Sequence, residues 1–345
     1  MKNQRLASFV AWPDPVWWGQ GARRAVSRSL SVLLAGALVA VSAQAQSDKP
    51  ISVVVGYSAG GSADFVARVV ANALSAKLGG RQVIVENKAG ASGMLALQRV
   101  VNGPADGSLI YMGGTDTVLV PLVNSKAGHD WSKDLVPLGR MTTVPMIFAV
   151  NKSSPFNSLP ELVAALRSKK TESFNYATPG IGTMQHLYGE LINGQAKIDM
   201  LHIPYKGGAQ IANDLVGNQV DSAMLVVSTA MPFLKDGKIK ALSVSDSVRL
   251  SQLPNVKRIG EEDGFQGVAL PLWQGLFMKA GTPANTVAVA EKALLEVMEQ
   301  PEVRTKLQEA GVMAAPMSGR DLTSFVKIQE KVYREIVSSK KITLD

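Results

Sequence analysis

Short apolar runs alternate with amphipathic stretches through most of the chain. The run Ile51–Val55 is continuous and β-branched, which is typical of a strand buried on both faces. A glycine-containing turn at residues 57–62 follows, and residues 64–78 have the apolar spacing of a helix that ends at a glycine pair. A second strand is predicted at residues 82–86. The pattern therefore predicts a repeating unit of strand, turn and helix.

Further strands are predicted, with helices between most of them, at residues 109–112, 146–150, 173–176, 200–202, 222–227, 239–243 and 272–278. Regular β-α alternation predicts the α/β fold class, with parallel strands and right-handed crossovers. So many strands favour two sheets, and the apolar strands at 146–150 and 272–278 flank a β-α block of their own. We therefore expect one lobe from residues 49–150 plus 272–345, with residues 151–271 inserted as the second lobe.

Residues 1–45 have the pattern of a secretory signal peptide. An uncharged run of 12 residues, 30–41, follows three arginines and precedes a Ser-Ala-Gln-Ala sequence that ends at Ala45. At about 1.5 Å per residue this run is far shorter than the ~30 Å hydrocarbon core that a membrane anchor must cross. The segment therefore predicts export of the protein and cleavage after Ala45.

Composition and charge exclude several classes of site. The sequence contains no cysteine, which excludes disulfides, thiolate metal sites and a cysteine nucleophile, and its three histidines do not suggest a metal centre. Half of the formal charge of +8 lies in the first 45 residues. Because the rest of the chain has no run of more than two Lys or Arg residues, we expect no nucleic-acid partner. We also expect no metal and no cofactor. The mild excess of positive charge favours small acidic ligands.

Three glycine-rich turns lie where a predicted strand ends and a helix begins, at residues 58–64, 113–116 and 178–183. The first backbone N–H groups of a helix bind carboxylate or phosphate without any Lys or Arg side chain. In α/β sheets, ligands bind at the carboxyl ends of the strands. The turns therefore predict an anion-binding cleft.

One of these turns also matches a catalytic motif. Residues 56–60 read Gly-Tyr-Ser-Ala-Gly, the G-x-S-x-G pattern of hydrolases, in the required strand, turn and helix context. An exported serine esterase using Ser58 is thus the alternative function. It lacks an oxyanion-hole loop from an earlier strand, and neither His186 nor His202 follows a late strand. An anion-binding turn in which Ser58 offers its hydroxyl is the favoured interpretation.

Several segments, taken together and in order, resemble the extracytoplasmic solute receptors of tripartite tricarboxylate transporters, the Bug family. They are Lys49-Pro50-Ile51, Ala59-Gly60-Gly61-Ser62-Ala63-Asp64, Val85-Glu86-Asn87, Tyr176-Ala177-Thr178-Pro179-Gly180-Ile181-Gly182-Thr183, Gln185-His186-Leu187, Pro204-Tyr205-Lys206-Gly207-Gly208, Trp273-Gln274-Gly275-Leu276-Phe277 and Ala280-Gly281-Thr282-Pro283. The resemblance implies a type II periplasmic binding-protein fold, in which two lobes joined by crossing strands hold a ligand in the cleft. It also implies a periplasmic, non-catalytic, monomeric receptor that binds a small carboxylate and delivers it to membrane-embedded permease subunits.

The resemblance places the carboxylate site on the turns at residues 58–64 and 178–183. With the loop after residue 113 and one wall position added, the candidate ligand-binding residues are Ser58, Ala59, Gly60, Gly61, Ser62, Asp64, Thr115, Asp116, Thr178, Pro179, Gly180, Ile181, Gly182, Thr183, His186 and Leu225. We expect His186 to support its turn rather than to contact the ligand. Leu225 stands where relatives often carry an acid, so we expect an apolar wall and a dicarboxylate, aliphatic or aromatic, rather than aspartate or glutamate.

Overall fold

The computed structural model describes residues 49–124, 128–168, 173–246, 249–266 and 272–340. The predicted signal peptide lies outside these ranges. No helix within them combines the length and the hydropathy needed to cross a bilayer.

The strands form two separate sheets. The first has six strands in the order β11-β4-β10-β3-β1-β2, and the second has five in the order β7-β6-β8-β5-β9. The strand bounds are β1 Ile51–Val55, β2 Val83–Asn87, β3 Leu109–Gly114, β4 Leu135–Val144, β5 Met146–Asn151, β6 Asn175–Thr178, β7 Leu201–Pro204, β8 Ser222–Val226, β9 Ile239–Val244, β10 Leu272–Lys279 and β11 Met313–Ser318.

Helices connect most of the strands. Their bounds are α1 Ser62–Lys77, α2 Met94–Val101, α3 Thr115–Val123, α4 Trp131–Asp134, α5 Leu159–Arg167, α6 Met184–Ala196, α7 Gly208–Val216, α8 Val227–Lys235, α9 Ala284–Met298, α10 Pro301–Glu309 and α11 Gly319–Lys340. The six-stranded sheet and its helices form the first lobe, and the five-stranded sheet and its helices form the second lobe.

Both sheets are built on the same plan. Each has three parallel strands, β2-β1-β3 in the first and β7-β6-β8 in the second. Each then adds a strand from the other half of the chain, antiparallel to its neighbours: β10 beside β3, and β5 beside β8. The expectation of parallel sheets was therefore wrong in part, because a continuous apolar run marks a buried strand without revealing its direction.

The chain crosses from the first sheet to the second at Pro145, between β4 and β5. Because β5 pairs with β8 and β9, it belongs to the second sheet. We therefore propose a lobe boundary at Pro145 rather than after residue 150. The return crossing lies between β9 and β10.

Two strands of the first sheet, β4 and β11, were not predicted. β4 contains Pro137 and Gly139, and β11 contains Pro316. Proline and glycine are disfavoured inside strands. β11 tolerates its proline at the edge of the sheet, and both strands have register shifts where they pair. The pairing of β4 with β10, and of β11 with β4, therefore overrides the local sequence preference.

The buried side chains form one large cluster that includes residues of both lobes, such as Val54, Trp273 and Tyr188. A second cluster lies within the second lobe and contains Ile147 and Leu225. The shared cluster holds the carboxyl ends of the parallel strands of both lobes close to one another.

Candidate functional site

A cavity of about 70 Å³ lies where the two lobes meet, enough for several water molecules. Its lining residues lie at or just after the carboxyl ends of β1 and β3 in the first lobe and of β6, β7 and β8 in the second, and β10 adds its first residues. They are Gly56, Tyr57, Gly61, Ser62, Ala63, Tyr111, Met112, Gly113, Gly114, Thr115, Asp116, Thr117, Pro179, Gly208, Val226, Thr229, Leu272, Trp273 and Gln274. This is the edge at which α/β sheets bind ligands.

Four helices begin at this cavity, and α3, which starts with Thr115 and Asp116, is one of them. The residues that precede the other three, α1, α7 and α8, are Gly61, Gly207 and Val226, and none supplies a side-chain cap. The first N–H groups of each helix have no partner within the helix and carry its positive partial charge. The lining contains no Lys or Arg, so within the described residues the helix ends supply the positive potential for an anion.

Two lining side chains have buried polar atoms without a hydrogen-bond partner in the described part of the chain: Ser62 Oγ and Thr229 Oγ1. Each residue is less than a tenth exposed. An unpaired buried polar group costs about 1–3 kcal/mol, so most such groups in folded proteins have a partner. Ser62 lies in the first lobe and Thr229 in the second, so a ligand between them would bond to both lobes.

Asp116 is the charged residue of the lining, and it links the lobes. Its Oδ2 accepts a hydrogen bond from the Tyr57 hydroxyl, and its Oδ1 accepts one from the N–H of Met184, the first residue of α6, at 2.9 Å. Burial raises the pKa of Asp116 to about 6, although both hydrogen bonds oppose the rise. The carboxyl group therefore holds the start of α6 against the first lobe.

The turn at residues 58–64 is braced from behind by Asp64, which is 4% exposed. The N–H of Gly60 donates to Asp64 Oδ2 at 3.0 Å, and Arg68 and Asn87 donate to the same carboxylate. Burial would raise the pKa of Asp64, but these hydrogen bonds outweigh it and hold the pKa below its usual value. Ser58 Oγ donates to the carbonyl oxygen of Lys206 in the second lobe at 3.2 Å. Both side chains thus fix the turn.

The turn at residues 178–183 packs against Ser92 of the first lobe. The Ser92 hydroxyl donates to the carbonyl oxygen of Ile181, and a Cβ added to Gly180 would lie 2.6 Å from Ser92 Oγ. Gly180 has φ +147°, a conformation that favours glycine. This turn therefore joins the lobes by close contact of the chain with Ser92.

His186 supports the same turn from inside the second lobe. Its Nδ1 accepts a hydrogen bond from the N–H of Gly182 at 3.2 Å, and its ring stacks on His202 with 3.9 Å between ring centroids. Burial, reinforced by His202, lowers the pKa of His186 to about 3, and burial lowers that of His202 to about 4. Both rings are neutral at pH 7.

The structure brings five of the sequence-predicted residues to the cavity lining: Gly61, Ser62, Thr115, Asp116 and Pro179. The others surround the lining without forming part of it: Ser58, Ala59, Gly60, Asp64, Thr178, Gly180, Ile181, Gly182, Thr183, His186 and Leu225. Leu225 is 1% exposed in the core of the second lobe, and its neighbour Val226 lines the cavity, because side chains alternate along a strand.

Most residues of the lining were not predicted as ligand contacts from the sequence, and Gly208, Thr229 and Trp273 are three of them. Gly208 had a signal, since a glycine pair follows the predicted strand near residue 202 and opens a helix. Thr229 lies in the first turn of α8, whose start is not marked by a glycine or a capping residue. Trp273 is fully buried, as expected of a packing residue, and its sequence context gave no signal that it lines a cavity.

Comparisons with known proteins agree with this architecture. A family model described as "Tripartite tricarboxylate transporter family receptor" matches residues 66–344. A UPF0065 protein of Bordetella bronchiseptica is 32% identical over 312 residues, 90% of this chain and 91% of that protein. The solved periplasmic binding protein BugD superposes with a TM-score of 0.80 at 28% identity, covering 85% of this chain and 98% of its own. The R. palustris protein Rpa4515, solved with adipate, gives a TM-score of 0.80 at 26% identity over the same shares of the two chains.

The expected α/β fold of the periplasmic binding proteins is confirmed by these structures, and the family resemblance is confirmed by the family model. The match extends over most of the chain, including every strand after β1 and both turns that precede α6 and α7. The chain therefore belongs to the receptor family of the tripartite tricarboxylate transporters.

Proposed function

We propose that this protein is a periplasmic receptor that binds a small dicarboxylate without an amino group and delivers it to membrane-embedded permease subunits. The observation that carries the proposal is the cavity between the lobes. Three uncapped helix starts and two unpartnered hydroxyl groups, of Ser62 and Thr229, converge there without a basic side chain. That a relative of the same fold has been solved with adipate supports a dicarboxylate.

One carboxylate of the ligand would lie between Ser62 and Thr229. Each hydroxyl would donate to it, and the first N–H groups of α1, α7 and α8 would add their partial positive charge. A hydrogen bond to a charged group contributes about 1.5–3 kcal/mol. Because the donors come from both lobes, the ligand would hold the lobes together.

Val226 and Leu272 give the cavity an apolar wall beside that carboxylate. A ligand ammonium group would need a counter-charge, and Asp116 is the acidic residue of the described lining. Its two oxygens already accept hydrogen bonds from Tyr57 and from Met184, which fix its position at the lobe contact. An amino acid would have to disrupt that link, so we expect a dicarboxylate without an amino group to bind more tightly than aspartate or glutamate.

The esterase alternative has no supporting contact. Ser58 Oγ bonds to the carbonyl oxygen of Lys206, His202 Nε2 bonds to Thr178 Oγ1, and His186 Nδ1 bonds to the N–H of Gly182. In the part of the chain that the structure describes, no histidine hydrogen-bonds to Ser58. A serine without a general base is a weak nucleophile. We therefore propose a receptor without catalytic activity.

A thermal-shift screen with mono-, di- and tricarboxylates tests the proposal. A ligand at 100 times its dissociation constant adds about 2.7 kcal/mol to the free energy of unfolding, which is a clear shift in Tm. Calorimetric titrations of matched pairs, succinate against aspartate and terephthalate against glutamate, then test the preference against an amino group.

Two results would contradict the proposal. If no carboxylate shifts Tm, the protein is not a carboxylate receptor. If a serine-directed phosphonate labels Ser58 stoichiometrically and abolishes ester hydrolysis, the esterase alternative is correct.

A further inference from the structure

A second cavity, of about 400 Å³, adjoins the first where α1 and α8 face each other across the lobe contact. Gly61, Ser62 and Thr229 line both cavities, so the two unpartnered hydroxyls stand at the passage between them. Ser228 Oγ, also buried and without a partner among the described residues, lines the second cavity. We call this second cavity the outer groove.

The outer groove has one basic and one acidic side chain in its described lining. Lys235 ends α8 in the second lobe, and Glu309 ends α10 in the first lobe. Both residues are exposed, and neither forms an ion pair with another described residue. The first cavity, which we call the inner cavity, has no basic side chain in its lining and contains the acidic residue Asp116.

This distribution of charge bears on where the second carboxylate of a dicarboxylate can lie. Two carboxylates enclosed in the inner cavity would lie near Asp116, and like charges at close range in a poorly solvated site repel strongly. In the outer groove the second carboxylate keeps contact with water and has a cation within reach. Lys235 lies seven residues, or two turns, beyond Ser228, so both residues are on the face of α8 that lines the groove. Helical side chains lean toward the N-terminus, so the Lys235 side chain leans back along this face toward Ser228, the neighbour of Thr229.

We propose that the outer groove is the subsite for the second carboxylate of the ligand, with Lys235 as the residue that selects dicarboxylates over monocarboxylates. The proposal rests on the proposed function, since it takes the first carboxylate to lie between Ser62 and Thr229. Glu309 faces the same groove and opposes the anion, so the two residues have opposite effects on affinity. The exposed position of Lys235 limits its contribution to about a two- to fivefold change in affinity, as for other surface ion pairs.

The test compares diacids with monoacids of equal chain length: succinate, adipate and suberate against butyrate, hexanoate and octanoate. The mature protein is titrated as wild type and as Lys235→Gln, Glu309→Gln and Lys238→Gln. Lys238 is the matched control, because it lies just beyond the same helix, pairs with Asp236 at 3.2 Å and is outside the lining of the groove.

We expect Lys235→Gln to weaken the tightest diacid about two- to fivefold, Glu309→Gln to strengthen it, and both to leave the monoacid of equal length unchanged. Lys238→Gln should change neither affinity, and 0.5 M salt should remove most of the Lys235 effect. The proposal is overturned if Lys235→Gln leaves the diacid unchanged, if it weakens diacid and monoacid equally, or if Glu309→Gln weakens both. The last two results would mean that the residues hold the lobes together instead. If the wild type binds none of the six acids and no other acid of the thermal-shift screen, the proposed function itself fails.

Discussion

Replacing Gly180 with alanine tests whether the contact between the lobes governs ligand binding. Gly180 has φ +147°, and its added Cβ would lie 2.6 Å from Ser92 Oγ and 3.3 Å from Ser92 Cβ. A side chain in so unfavourable a backbone conformation costs about 1–3 kcal/mol. Displacing the Ser92 hydroxyl from the carbonyl oxygen of Ile181 costs about 1 kcal/mol more.

The two contributions sum to about 2–4 kcal/mol, which corresponds to roughly a 30- to 1,000-fold loss of affinity if all of it falls on the ligand-bound arrangement. The free energy lost with the Ser92 hydrogen bond comes from the contact between the lobes. The substitution should therefore lower the ligand affinity more than it lowers the stability of either lobe. Calorimetric titration with the tightest carboxylate of the screen gives the affinity, and thermal unfolding without ligand gives the stability.

A double-mutant cycle separates the clash from the backbone strain. Ser92 has φ 54°, so glycine at this position keeps the backbone and removes the two nearest of the three Ser92 atoms that the new Cβ would meet. We expect Gly180→Ala to cost about 1 kcal/mol less in the Ser92→Gly background. Gly194→Ala, on the helix that comes after the turn, meets no atom within 4 Å and serves as the control. Unchanged affinity in Gly180→Ala would refute the reasoning.

Three more substitutions probe the lining and its supports. Thr229→Val removes an unpartnered hydroxyl, so the ligand affinity measured by calorimetry should fall about 10- to 150-fold. The Tm without ligand should stay equal or rise. An unchanged affinity would mean that the carboxylate lies elsewhere. Asp116 has its pKa raised to about 6, so its ionisation destabilises the fold as pH rises from 4 to 6. In urea titrations over that pH range, the free energy of unfolding of the wild type should fall by up to about 3 kcal/mol relative to that of Asp116→Asn, with no further relative change above it. Parallel pH profiles of the two proteins would contradict this. His186→Ala should lower the free energy of unfolding by about 2–3 kcal/mol, yet weaken binding less than Thr229→Val does; the reverse order would make His186 a ligand contact.

Local signals in the sequence predicted much of the fold. β1 lies at the predicted residues, and its buried side chains agree with its unbroken β-branched run. The turn between β1 and α1 has a positive-φ glycine, Gly60, at a place where the sequence predicted a glycine-dependent turn. These features depend on a few consecutive residues, which is why the sequence alone predicts them.

The features that were missed depend on partners distant in the chain. β4 is a strand because β10 and β11 pair with it, in spite of its own proline and glycine. Whether Leu225 or Val226 faces the cavity depends on the register of β8 against β5, and a shift of one residue exchanges the two faces. Gly208 and Thr229 come to the cavity only because the second lobe packs against the first.

The proposed carboxylate site is made largely of main-chain atoms, and this affects how it tolerates mutation. A point substitution replaces a side chain, and apart from proline it cannot delete a backbone N–H group. The anchor for an acid at the starts of α1, α7 and α8 is therefore buffered against most sequence drift, provided that the glycines keep their conformation. The side chains that would touch the rest of the ligand, such as Phe65 and Met231 in the lining of the outer groove, have no such protection. New specificities can thus arise by exchange of a few wall residues while the machinery that holds the acid stays intact.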